Sequence, residues 1–165
     1  MINRNYIIFL FLSTLYFGVC PAGAEQTTPV KQDLHLSNDL TELLRAEMRA
    51  LLNGVQSLAA GIAIADWKTV ANTSSKIRAS YILDQKLTPA QKKELTTSLP
   101  EHFKRLDSHF HLEAKKLEVA AANHDPELSA FHYYRLIETC TTCHTIYAQS
   151  RFPGFSSAAR HPHKH

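Results

Sequence analysis

The chain has 165 residues, with 18 basic and 15 acidic side chains and a net charge of +3 when its ten histidines are neutral. That is one domain's length, enough to bury a core. The charges are interspersed rather than gathered into a basic patch, so no nucleic acid is expected as a partner.

Met1 to Asn5 carries one basic residue, Arg4, and no acid. An apolar run of 14 residues, Tyr6 to Val19, follows, and Ala22-Gly23-Ala24 then supplies a small-residue cleavage site before Glu25. This is the layout of a secretory signal peptide over residues 1–24, cut after Ala24. The apolar run falls short of the roughly 20 residues that a spanning helix needs, so export without a membrane span is expected. A lipid anchor on Cys20 is the weaker reading, because Val19 stands where a lipobox wants a small residue. Residues 25–36 read as a flexible lead.

Beyond the lead, apolar residues recur at three- and four-residue steps. Leu40, Leu44, Met48, Leu51, Val55, Leu58 and Ile62 define the first helical face, with Gly61 as its expected stop. Asp66 is placed to cap a second helix carrying Trp67, Val70, Ser74, Ile77 and Tyr81. Thr88-Pro89-Ala90-Gln91 reads as a capping box that starts a short helix of a turn or two. Ser98-Leu99-Pro100-Glu101 repeats that chemistry before a third long face of Phe103, Leu106, Phe110, Ala114, Leu117 and Ala121. Asp125-Pro126 opens the fourth, on which Leu136, Cys140, Cys143, His144 and Tyr147 share a side, and Pro153-Gly154 is its expected end. No stretch alternates with the two-residue period of a strand. The pattern predicts an all-α fold, an antiparallel up-down-up-down four-helix bundle over residues 37–152, followed by a flexible His-rich tail over 153–165.

The fourth face carries C-x-x-C-H, Cys140 to His144. A disulfide between residues three apart closes too small a loop to stabilise much. Zinc needs further ligands at suitable spacing, and a thioredoxin-type dithiol belongs in a βαβ setting. Covalent haem attachment uses every residue of the motif. Positions i, i+3 and i+4 lie together on a helix, so two thiols can reach the two vinyl groups of one haem c while His144 supplies the proximal iron ligand.

With this motif on its last helix, a start resembling an exported protein, and "LRAEMRALL" from Leu44 to Leu52, the chain resembles the class II cytochromes c, the cytochrome c′ and cytochrome c-556 group. The resemblance runs from about Asn38 to Phe152. It implies a periplasmic protein with one haem, holding Met48 as the distal iron ligand and Arg45 against a haem propionate. It also implies single-electron transfer between redox partner proteins of a periplasmic electron-transfer chain; relatives can pair as homodimers through the first two helices, and the sequence does not choose between monomer and dimer. The alternative within the same family is a five-coordinate haem that binds nitric oxide. The chain departs from the family after the motif, with Thr145 and Ala148 where members often carry basic residues and Arg151 as a displaced substitute. No nucleophile–base pair or second metal of recognisable spacing accompanies the motif, so a separate enzyme activity is not expected. His102, His109, His111 and His132 are expected to face solvent, and the tail Arg160 to His165 to capture a divalent metal at most loosely.

Overall fold

Capping chemistry decides where the chain enters and leaves its helices. In the computed structural model, which describes residues 31–155, α1 (Asn38–Ala63) begins behind Ser37, whose N–H and hydroxyl both donate to the Glu94 carboxylate. The signal segment with Cys20, residues 25–30 of the lead and the tail from residue 156 lie outside the described residues.

At the end of α1 the Ala65 N–H bonds to Ile62 O and the Asp66 N–H to Gly61 O, the paired closure of a Schellman motif. Asp66 then accepts the Thr69 N–H at 3.1 Å and starts α2 (Trp67–Arg78). One residue therefore closes a helix and opens the next. After a single turn, α3 (Leu83–Lys86), the expected capping box of Thr88 and Gln91 opens α4 (Pro89–Ser98), with Pro89 at the first position. α5 (Glu101–Ala122) ends in the same paired closure as α1, through His124 and Asp125, and Asp125 caps α6 (Pro126–Tyr147) by accepting the Leu128 N–H at 2.9 Å. A 3-10 turn covers Pro153–Phe155.

The described residues are all-helical, with no strand. α1 packs on α2, α2 on α5, α5 on α6, and α6 returns to α1. Val55, Leu58, Val70, Ile77, Phe110, Ala114, Leu117, Ala121 and Leu136 form the shared core. Each large apolar side chain buried there contributes about 1.5–3 kcal/mol relative to exposure. Trp67 packs against this core and stacks on His124, as its place at the head of α2 suggests. No described helix is long and apolar enough to cross a membrane.

Four expectations are corrected. Gly61 does not stop α1, which runs on to Ala63; its missing side chain instead lets α2 approach, since a Cβ there would lie 2.9 Å from Val70 Cγ2. Ser98 caps nothing: it is the last residue of α4, and α5 starts after Pro100 without a side-chain cap. The helix at Thr88 is ten residues long yet buries none of them. Pro153-Gly154 is not the end of α6, because the chain leaves the helix at Ala148, whose carbonyl accepts the N–H groups of both Arg151 and Phe152.

Candidate functional site

Threonines crowd the motif on α6, and each hydroxyl is accounted for within the helix. Thr139, Thr141, Thr142 and Thr145 donate to carbonyl oxygens three or four residues back, at 2.7–2.9 Å. This back-bonding lets β-branched polar residues sit in a helix interior and removes them as ligand candidates. What remains for chemistry is Cys140, Cys143 and His144.

Both thiols are free and half-buried, and Cys140 packs against the core. Burial pushes the Cys140 thiol up, and burial together with nearby Cys140 and Asp107 pushes Cys143 up to about 12. Thiols raised in this way are not the activated, low-pKa nucleophiles of a dithiol oxidant. Burial also holds the His144 imidazole below its ordinary value, in the neutral form that has a lone pair to offer. Below the motif, Tyr147 is wedged edge-on against Phe103 at 5.2 Å, and its hydroxyl lies 3.3 Å from His102 Nδ1. The N-terminal lead reaches this end of α6 as well, where the Gln32 N–H donates to Ile146 O.

Two aromatic rings lie beside His144. Phe152 lies 4.7 Å from the imidazole, ring centre to ring centre, tilted by 31°, and Phe155 lies 6.1 Å away. Sequence periodicity carried no sign of this, because the rings arrive by a fold-back after Ala148 and not on the helix; two phenylalanines within a dozen residues of the motif were the available signal.

The family-derived pair stands on α1. Arg45 is ion-paired with Glu42 and half-exposed, and the Met48 side chain is 40% exposed, one helical turn from the exposed Leu52. Neither makes a hydrogen bond or ion pair with Cys140, Cys143 or His144. The buried position on this turn is the neighbouring Glu47, which is 2% exposed.

Of the histidines expected in solvent, His102 is exposed, while His109, His111 and His132 are partly enclosed. His132 Nδ1 contacts the Glu113 carboxylate at 2.8 Å, and His111 Nδ1 lies 2.9 Å from the Ile77 carbonyl. Glu113 also receives Lys116 at 2.7 Å and has His109 at 4.0 Å, while Arg135 joins His109 to Glu138. This α5–α6 network was missed because its bonded partners are up to 26 positions apart. Among the described residues no three His, Cys, Asp or Glu side chains converge as a metal site of their own.

No protein-family model, no curated protein and no solved structure matches the chain.

Proposed function

We propose that the chain is an exported, periplasmic c-type cytochrome with one covalently held haem, folded as an antiparallel up-down-up-down four-helix bundle and acting as a single-electron carrier. The observation that carries this reading is the placement of unpaired Cys140 and Cys143 beside His144 on one half-buried stretch of α6. The closed circuit of contacts from α1 through α2, α5 and α6 supports the bundle. So do the contacts of Trp67 with His124, which pairs the start of α2 with the end of α5, and of Ile77 with His111, which pairs the end of α2 with the middle of α5. The donor set suits haem: Cys140 and Cys143 would provide the two thioether sulfurs, His144 the proximal imidazole and Met48 the distal sulfur. A haem bound there supplies reversible one-electron exchange between ferric and ferrous iron. The chain's own part is to hold the imidazole neutral, keep both thiols unpaired, and seal one side of the site with Tyr147 and Phe103.

A second reading, a protein whose sixth iron position stays open to a small gas such as nitric oxide, is favoured by one observation. Met48, the sulfur that would close that position, is 40% exposed on α1 and is not held in the core. Matured protein tests both. Haem that resists acid extraction, and that is lost when Cys140 and Cys143 are both replaced by Ala, supports attachment. Colourless protein with two thiols that react with a labelling reagent overturns it. A low-spin ferric spectrum selects the carrier, and a high-spin one that takes up nitric oxide selects the gas binder.

A further inference from the structure

We infer that Phe152 is a positioning residue for His144, fixing the orientation of the imidazole by close packing of its tilted ring. The inference rests on the reading of residues 140–144 as a haem-attachment motif. A histidine that ligates a metal ordinarily donates its second ring N–H to a carboxylate, a carbonyl or water, and that bond sets its tautomer and rotation. No described side chain or carbonyl hydrogen-bonds a ring nitrogen of His144. Its ordered contacts are aromatic instead: Phe152 at 4.7 Å and 31°, and Phe155 at 6.1 Å and 58°. An apolar ring packed this closely restrains rotation of the imidazole without hydrogen-bonding either ring nitrogen.

Phe152 is itself held. Its N–H, with that of Arg151, is tied to the Ala148 carbonyl at 2.9 and 3.0 Å, so the fold-back begins directly beneath the helix end that carries His144. The Phe155 N–H returns to the Phe152 carbonyl at 3.0 Å, and the Phe155 ring meets that of Phe152 edge-on at 88°. The Arg151 guanidinium lies 5.8 Å from the centre of the Phe152 ring, within cation–π range. At 37% exposure Phe152 adds little to the core, so its ordering serves the ring beside it rather than the packing of the helices.

The test uses the matured, haem-loaded full chain and the variants Phe152→Leu, Phe152→Ala and Phe152→Tyr. Leucine keeps apolar volume and guards against misfolding, and tyrosine restores the ring. Ferric electron paramagnetic resonance is expected to give one set of g-values for wild type and Phe152→Tyr. Phe152→Leu and Phe152→Ala are expected to give a broadened or split set and a shifted reduction potential, as the imidazole samples several rotations. Loaded wild type whose Leu and Ala variants keep its g-values and potential overturns the role of Phe152 and leaves haem attachment standing. Wild type that carries no acid-resistant haem overturns the attachment reading, and the positioning role with it.

Discussion

The Glu47 carboxylate on α1 accepts the backbone N–H of Ile82 at 2.6 Å, and it does so as the centre of a cluster. The N–H groups of Tyr81 and Leu83 reach the same carboxylate at 2.9 and 3.3 Å. Three successive donors left over where α2 ends and α3 begins are thus satisfied by one anion from another helix. The pin is buried, and the negative charge together with desolvation pushes the Tyr81 phenol above its ordinary value, burial being the larger cause.

Replacing Glu47 by Ala should cost about 3 kcal/mol of folding stability, since buried donors lose their acceptor and a charge-assisted set is lost. Glu47→Gln keeps the shape and one acceptor oxygen and should cost about half as much. Urea unfolding reads both. An Ala variant with an unchanged midpoint would mean that water satisfies the three N–H groups.

Glu47 also shows what the sequence could and could not disclose. Leu40, Glu47, Gly54 and Gly61, seven residues apart, are buried on α1 together with Val55 and Leu58. A count of apolar residues found the buried Leu40, Val55 and Leu58 but added Leu44 and Met48 and passed over Glu47 and Gly54, because it gives no weight to a glutamate bonded to backbone or to a glycine that admits a neighbour. The Tyr81 hydroxyl would sit 2.6 Å from a Cβ at Gly54. Helix starts were legible at Asp66, Thr88 and Asp125, whose side chains cap locally. Helix ends were not: the left-handed residues are Ala65, Ser80 and His124, none of them glycine, so the usual signal was absent. The C-x-x-C-H spacing was plain from the sequence because it is local. The ring beside His144 and the partners of Glu113 depend on how the chain folds back.

Ala65 adopts φ of 57° at the close of α1, a conformation in which a Cβ costs about 1–2 kcal/mol. Glycine removes that cost but gains freedom in the unfolded chain. Ala65→Gly should therefore gain about 0.5–1 kcal/mol, seen as a rise of a few degrees in thermal midpoint. His124 is unsuited to the same change, since its ring stacks on Trp67. A lower midpoint for Ala65→Gly would show that the alanine methyl is doing more than tolerating strain.

Glu113 should give the fold an acid-sensitive component. Burial alone would raise its carboxyl, but hydrogen bonds from Lys116 and His132 outweigh this and hold it below its ordinary 4.5. His109 and, behind it, Arg135 add positive or polar groups on the same side. With the folded value below the unfolded one, the contribution is complete above about pH 4.5 and drains away as pH falls through the folded value. Glu113→Gln should cost about 1–3 kcal/mol at neutral pH. The gap to wild type should narrow below about pH 4, where wild type loses the same carboxylate. A gap that stays constant from neutral pH to pH 3 would place the effect in packing instead.

Met48 separates the two functional readings because its exposure makes it cheap to remove. At 40% exposed it fills little of the core, so Met48→Ala should change folding stability by only about 0.5 kcal/mol in urea unfolding. The optical spectrum of the same variant then reports ligation without the confusion of a damaged fold. For an electron carrier with a His144/Met48 pair, the ferric protein should pass from low to high spin and its reduction potential should fall, since a thioether ligand favours the ferrous state. An unchanged spectrum beside an unchanged fold would assign the sixth position to an exchangeable small molecule and the chain to gas binding. A stability loss of several kcal/mol with no spectral change would instead make Met48 a packing residue, at odds with its exposed position on α1.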